Sequence, residues 1–258
     1  MLNRTFVKAG TMIAAMAVTS VSTAAVVSMD DFTGLWSNQQ GGPSFYNTTG
    51  NGGNNPQARW GDAATNAGQS GYNLDMAPTA APPVSVPIVQ NVPPNTSPFF
   101  IGNFTHVNQP IFPNSITGID LRIGFDLMID ATDLGTKFFD FRFSHDETTN
   151  NLNPCPYGGA NGQGVNINGC ADRVLVSFLN TSDVFNVGGV DYIFNLLGFS
   201  TDGGTTISSS YLTKEQANNT ARLYATIATR SSVVPEPGTL ALLGLGLAGL
   251  GMIRRRKA

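Results

Sequence analysis

The residues best suited to chemistry in this 258-residue chain are its two histidines, His106 and His145. Asp146 and Glu147 follow His145 directly, so an imidazole and two carboxylates lie within three positions. Imidazole changes charge near neutral pH and commonly binds metals, and carboxylates can act as acids or bases. The group could therefore bind a transition metal or transfer protons. The alternative that we favour is that His106 forms a local hydrogen bond, which fixes the loop before the strand at residues 119–129.

Side chains with oxygen ligands form a second candidate site. Carboxylate and amide oxygens on the loops of a β protein suit calcium. Their spacing does not match an EF-hand loop, so solvated loop acids are the alternative interpretation, and no other cofactor is expected. The candidate calcium ligands are Asp140, Asp146, Glu147, Asn150 and Asp172.

Other catalytic motifs are not matched. No serine lies in a Gly-x-Ser-x-Gly elbow. The glycine-rich segment 158–164 has neither the lysine of a phosphate-binding loop nor a following helix. We therefore expect no enzymatic activity, and an extracellular hydrolase is the least supported function. Trp36 and Trp60 could form a platform for stacking sugars, although packing in the core is the favoured alternative.

Cys155 and Cys170 are the only cysteines, and they bracket a loop rich in glycine and asparagine. In an exported chain, such a pair predicts a disulfide. Closing a loop of about 16 residues would stabilise the fold by roughly 3 kcal/mol. A metal site with two cysteines is the alternative, and it is weaker because the loop contains no histidine.

A strict alternation of apolar residues predicts the main strands. From Ile119 to Ile129 every second residue is apolar, which indicates a strand with one dry and one wet face. A turn at Thr132–Gly135 would join it to a second strand with Phe139, Phe141 and Phe143 on one face. The two segments therefore predict an antiparallel hairpin.

Further short strands are predicted along the rest of the chain, at Phe32–Trp36, Ser70–Leu74, Val174–Phe178, Val190–Phe199 and Leu223–Ile227. The proline-rich segment 77–98 cannot pair in the centre of a sheet, so we expect it to be an extended covering segment. The capping-box spacing of Thr213–Gln216 would allow one or two helical turns. The predicted class is all-β. Residues 25–232 would form a single antiparallel β-sandwich, jelly-roll-like, with long loops rich in Gly, Asn and Pro.

The N-terminal segment has the pattern of a secretory signal. Arg4 and Lys8 precede an apolar stretch from Ala9 to Val21, and small residues follow it. We expect residues 1–24 to be a signal helix that directs export through the Sec pathway. A permanent membrane anchor is the alternative.

Residues 233–258 have three parts. The stiff Pro235, Glu236 and Pro237 precede an uncharged apolar run at 239–253, and four cations follow, Arg254, Arg255, Arg256 and Lys257. A 15-residue helix is roughly 22 Å long, short of a hydrocarbon core of ~30 Å. Snorkelling arginines and local thinning could make up the difference. We expect a transmembrane helix in the inner membrane with its cations in the cytoplasm; an ordinary single-span anchor is the alternative.

The charge of the domain between these ends excludes one class of partner. The full chain has a formal net charge of −3. Without residues 1–24 and 233–258, eight cations and sixteen acids remain, which gives −8. An acidic domain with few, scattered cations cannot neutralise a row of phosphates, so we expect no nucleic-acid binding.

The three-part segment resembles the PEP-CTERM signal of Gram-negative bacteria that produce exopolysaccharide. The resemblance rests on Pro235-Glu236-Pro237, the glycine- and leucine-rich span and the arginine cluster. It implies cleavage near Pro235–Pro237 by an exosortase-type enzyme. It also implies that the tail anchors the chain only transiently and that the product reaches the cell surface or the extracellular matrix, often in biofilm.

The middle of the chain resembles the THxN family of PEP-CTERM proteins. Its signature is Thr105, His106, Val107 and Asn108 followed by Pro110-Ile111. Further motifs that we match to the family are 59–61, 145–150 and 170–172. This resemblance implies a surface domain of unassigned activity.

Together these patterns predict an exported, surface-sorted protein without enzymatic activity, acting as a structural or binding component of the extracellular matrix or biofilm. The alternative is a carbohydrate-binding module for exopolysaccharide that could depend on calcium.

Overall fold

The computed structural model describes residues 25–42, 46–77, 84–86, 97–112, 115–130, 132–178 and 184–231. The predicted signal helix and the predicted C-terminal helix lie outside these residues. In the described part of the chain, no helix has the length and hydrophobicity needed to span a bilayer.

The described regular structure is almost entirely β, with one 3-10 turn at Gly164–Asn166. The strands are β1 (Ala25–Gly41), β2 (Tyr46–Thr49), β3 (Gln57–Trp60), β4 (Asp62–Ala63), β5 (Ser70–Met76), β6 (Val84–Val86), β7 (Phe99–Asn108), β8 (Ile111–Phe112), β9 (Ile116–Ile129), β10 (Thr132–Asp146), β11 (Asp172–Phe178), β12 (Val184–Val187), β13 (Val190–Ser200), β14 (Ser210–Thr213) and β15 (Ala217–Ser231).

Two large antiparallel sheets form a sandwich, which confirms the predicted fold class. Sheet I has the order β14-β11-β10-β9-β1-β6, and sheet II has the order β12-β13-β15-β7-β5-β3-β2. A small ribbon pairs β4 with β8. In the proline-rich segment, β6 pairs with β1 at the edge of sheet I, the position that proline-flanked strands tolerate.

The predicted hairpin is confirmed as β9 and β10, but its turn lies earlier than predicted. β9 ends at Ile129 and β10 begins at Thr132, so Thr132–Gly135 is part of the strand. Asp130 adopts a left-handed conformation at φ 47°, which aspartate tolerates better than most residues. Its carboxylate also accepts a hydrogen bond of 2.8 Å from the Val26 amide. The extra residues are accommodated by a register shift between Asp133 and Thr136.

Aromatic side chains from the two sheets form the core between them. Phe125 of sheet I lies 5.0 Å from Phe194 of sheet II, measured between ring centroids. Phe143 of sheet I lies 5.5 Å from Phe104 of sheet II. These contacts follow from the alternation along β9 and β10, which turns every second side chain inward.

The structure overturns the sugar-stacking alternative for the two tryptophans. Trp36 and Trp60 are both fully buried, and their rings pack on Tyr72 at 5.6 and 4.8 Å. Neither indole face is open to a ligand.

The helical turn predicted after Thr213 is also absent from the structure. Thr213 ends β14, Ala217 begins β15, and Gln216 between them has a φ of 54°. The capping-box spacing here belongs to a tight connection between strands, and no segment of helical period follows it.

Candidate functional site

His106 is a buried strand residue, so the prediction that it fixes a loop locally is wrong. It lies near the C-terminal end of β7, a strand between β5 and β15, and it is 0% exposed. Its Nδ1 lies 2.9 Å from the Thr213 hydroxyl in sheet I, 107 residues away in sequence. Its ring stacks on Trp60 at 6.1 Å. His106 therefore connects the two sheets.

His145 approaches His106 from the other sheet. It is buried near the end of β10, and the two imidazole rings are nearly perpendicular, with centroids 5.0 Å apart. Its Nδ1 lies 2.7 Å from the Tyr72 hydroxyl, and its Nε2 lies 3.4 Å from Glu147 Oε2. The fold thus brings the two histidines of the sequence into contact.

Carboxyl groups lie beside these histidines. Asp172 is the first residue of β11, and Glu215 lies in the connection between β14 and β15. The Asn108 amide donates hydrogen bonds to both, at 2.8 Å to Asp172 Oδ2 and 3.0 Å to Glu215 Oε1. The Thr148 amide donates to Asp172 Oδ1 at 2.7 Å.

We call this group the inter-sheet polar cluster. It comprises Tyr72, His106, Asn108, His145, Glu147, Asp172, Thr213 and Glu215.

The environment of the cluster favours uncharged side chains. Burial raises the pKa of Asp172 well above its usual range, and the nearby Glu147 and Glu215 carboxylates add to this effect. Burial lowers the pKa of His106 well below its ordinary value, and His145 lowers it further. Burial also raises the pKa of Tyr72, so its hydroxyl keeps its proton. Among the described residues, no lysine or arginine forms an ion pair with a carboxylate of the cluster.

The five predicted calcium ligands do not form one site. Glu147 and Asp172 belong to the cluster, and Asn150 joins it by donating to Glu215 Oε2 at 3.1 Å. Asp140 instead accepts two hydrogen bonds from Arg122, at 2.8 and 2.9 Å. Asp146 points away from the cluster, because side chains alternate along β10 and His145 points inward.

Asp146 has its own partners on the outer surface. The Tyr157 hydroxyl donates a hydrogen bond to it, and Arg173 lies 3.8 Å away. Asp140 and Asp146 therefore do not belong to the site that contains Glu147 and Asp172.

Sequence reasoning missed three members of the cluster, Tyr72, Thr213 and Glu215. Tyr72 looks like an ordinary strand residue, and the other two were assigned to a helical turn. The usable signal was the lack of any helical period after Gln216. Because no helix follows, Thr213 and Glu215 belong to a strand end and a turn, where polar side chains can face a neighbouring site.

The predicted disulfide between Cys155 and Cys170 is confirmed. The Thr148 hydroxyl donates to the Cys170 carbonyl at 2.7 Å, two residues before Asp172. Gly169 has a φ of 136°, and a Cβ there would lie 2.3 Å from Asn150 Oδ1, so only glycine permits this close approach. The bridged loop therefore packs directly against the residues that hold Asp172.

The four segments that carry the internal sequence motifs meet at this site. Trp60, His106, His145 and Asp172 come from four different segments, and Trp60 packs edge-on against His145 at 5.6 Å. Motifs that are separated in the sequence thus form one buried group.

Comparison with known proteins identifies the C-terminal segment. Residues 233–257 match the family model described as the PEP-CTERM protein-sorting motif. A search among curated proteins returned no match for this chain. The motif implies secretion, a membrane-anchoring tail, sorting to the surface and recognition by an exosortase-type processing enzyme. The chain is therefore a PEP-CTERM protein.

Proposed function

We propose that this PEP-CTERM protein is a non-enzymatic structural or binding component of the extracellular matrix, in biofilm that contains exopolysaccharide. The observation that carries the proposal is the sorting motif at residues 233–257. Residues 25–232 would be the surface domain of the THxN group, and the tail would be removed near Pro235–Pro237 after export.

The architecture of the domain supports a structural role. A disulfide closes the glycine-rich loop from Cys155 to Cys170, and aromatic side chains fill the space between the sheets. His106, His145 and Trp60 are all enclosed by other side chains. A substrate could not reach the two imidazoles without an opening of the sandwich, which favours a binding or scaffolding function over catalysis.

The experiment is to express the full chain in an exosortase-containing, biofilm-forming bacterium and to recover it from the isolated matrix. We expect the matrix form to lack Arg254–Lys257 by intact mass. A variant with Pro235→Ala, Glu236→Ala and Pro237→Ala should stay in the inner membrane with its tail intact. Recovery of the wild-type chain from the matrix with its tail attached would contradict processing. Equal recovery of both chains from the culture medium, with none in the matrix, would contradict the matrix role.

A second candidate function, carbohydrate binding, is favoured by a cleft on the outer face of sheet II. The cleft has a volume of about 440 Å³, and its lining includes Asn103, Thr201, Thr220 and Arg222. Amide, hydroxyl and guanidinium groups can all hydrogen-bond to sugar hydroxyls. The Arg222 guanidinium lies over the Phe100 ring at 5.3 Å, which holds it in place.

Polysaccharide co-sedimentation tests this candidate. Arg222→Ala should weaken binding to isolated exopolysaccharide by about tenfold, the loss of one charged hydrogen-bonding group. Lys137→Ala, on sheet I, removes the same charge and should leave binding unchanged. If the two variants bind equally, attraction by net charge alone explains the binding and the cleft is not the site.

A further inference from the structure

We infer that the inter-sheet polar cluster binds one divalent transition-metal ion of the zinc type, through His145, Glu147 and Asp172. One ligand atom from each of these residues lies within 4.8 Å of the other two. The inference is independent of the matrix role proposed above.

The spacing of two of the ligand atoms suits a small cation. His145 Nε2 and Glu147 Oε2 are 3.4 Å apart, beyond the usual range of a nitrogen–oxygen hydrogen bond. Zinc binds nitrogen and oxygen ligands at about 2.0–2.2 Å in a tetrahedron, whose edge is then ~3.3–3.5 Å. The two atoms are therefore separated as two ligands of one ion would be.

The carboxyl groups of the cluster need either protons or a cation. Asp172 is 0% exposed, Glu215 is buried beside it, and Glu147 completes a group of three carboxylates. Within the described part of the chain, none of them has a lysine or arginine partner. Buried carboxylates must be paired, protonated or bound to metal, because the cost of burying an isolated charge is large.

The ligands are held in place by further hydrogen bonds. The Tyr72 hydroxyl lies 2.7 Å from His145 Nδ1, so it can orient the ring and leave Nε2 for the metal. The Thr148 amide and the Asn108 side chain fix the two oxygens of Asp172, at 2.7 and 2.8 Å. Each of these oxygens retains a lone pair for a cation.

Two buried atoms beside the ligands have no hydrogen-bond partner. They are Asn108 Oδ1 and His106 Nε2, both inaccessible to solvent. Asn108 is fixed next to Asp172 by its own amide group, and the His106 ring contacts the His145 ring. Unsatisfied polar atoms at this depth are rare in native proteins, and an ion with its bound water would supply partners for them.

The ligand types select the class of metal. Calcium prefers six to eight oxygen ligands, whereas imidazole with carboxylates suits zinc and related ions. The side chain of Glu147 is 34% exposed, so an ion can enter from its side of the cluster. Both cysteines form the disulfide and cannot compete for the metal.

The test is metal binding by the full chain, exported, purified in detergent and stripped with a chelator. Isothermal titration with zinc should give one site per chain. Cobalt(II) should give the visible absorption bands of a tetrahedral site, and the binding should change the emission of the buried Trp60. Glu147→Gln should weaken zinc binding by more than about tenfold. Asp146→Asn, the neighbouring exposed acid, should bind as the wild type does.

Glu147→Gln should fold, because Glu147 is partly exposed and contacts His145 at the rim of the cluster. Its melting temperature without metal should match that of the stripped wild type. Failure of the wild type to bind zinc would overturn the inference. So would equal weakening by the two substitutions, or binding of calcium in preference to zinc.

Discussion

Single polar residues in this domain find partners that are very distant in the sequence. The bond between His106 and Thr213 and the bond between Asn108 and Glu215 each span 107 residues. Asn108 also reaches Asp172 across 64 residues. The His106–Thr213 and Asn108–Asp172 bonds cross from sheet II to sheet I, so they can form only when the two sheets pack together. The polar cluster therefore depends on the assembled sandwich, and it holds the two sheets in one alignment.

The residue level is also where sequence reasoning was least complete. It identified His145, Glu147 and Asp172 as candidate ligands, because their chemistry is evident from residue type. It assigned His106 to a local hydrogen bond that fixes the loop before the main strand. Only the pairing of β7 with β5 and β15 buries this residue, and no local pattern encodes that pairing.

The stability that Asp202 contributes should depend on pH. Its carboxylate accepts hydrogen bonds from the Thr206 amide at 2.9 Å and the Ser200 hydroxyl at 2.7 Å, which together lower its pKa to about 2. Because the folded pKa lies below the unfolded value, Asp202 stabilises the fold above about pH 4. This contribution is lost as the pH falls through about 2.

Carboxyl chemical shifts in an NMR titration should give a pKa for Asp202 close to 2. In urea unfolding, Asp202→Asn should be less stable than the wild type at neutral pH, and the difference should shrink in strong acid. Asp133→Asn serves as the control for loss of an exposed strand carboxylate. A pKa of about 4 for Asp202 would show that the turn does not hold its charge.

Among the elements, the β9–β10 hairpin shows how strand register is fixed. Arg122 faces Asp140 across the strands, and Asp120 faces Arg142 with a nitrogen–oxygen distance of 2.6 Å. The reversed order of charge in the two pairs means that a shift by two residues would bring like charges together. The apolar alternation was sufficient to predict both strands. The turn was misplaced because the bulge after Asp133 hides the true strand end.

The loop from Cys155 to Cys170 should depend on its disulfide for stability. Its disulfide closes about 16 residues, which should stabilise the fold by roughly 3 kcal/mol by restricting the unfolded chain. The double variant Cys155→Ala, Cys170→Ala should lose this amount in urea unfolding. In this double variant, the amide hydrogens of Thr148 and Asp172 should exchange faster than they do in the wild type.

Reduction is the control for that substitution. Treating the wild type with a thiol reductant should lower its stability by the same amount, and the double variant should not respond. A double variant as stable as the oxidised wild type would mean that the loop is held by its hydrogen bonds alone.

For the molecule as a whole, the sequence predicted the class but not the order of the strands. Short alternating segments and the lack of helical period were enough to indicate an antiparallel sandwich. The order β12-β13-β15-β7-β5-β3-β2 depends on pairings between segments more than 100 residues apart, as between β7 and β15. Apolar faces of similar strands are interchangeable in a sequence pattern, so the pairing is decided by packing in three dimensions.

Substitution of Phe194, which lies between the two sheets, tests this packing. Phe194 of sheet II is fully buried and contacts Phe125 and Phe139 of sheet I at 5.0 and 4.8 Å. Phe194→Ala would leave a cavity that the rigid strands cannot close, at a cost of about 3–5 kcal/mol in the free energy of unfolding. Phe138→Ala removes the same ring from a position that is 52% exposed and should cost less than about 0.5 kcal/mol. Urea unfolding of the full chain in detergent, followed by tryptophan emission, measures both. If the two substitutions cost the same, the sheets do not share the aromatic core described above.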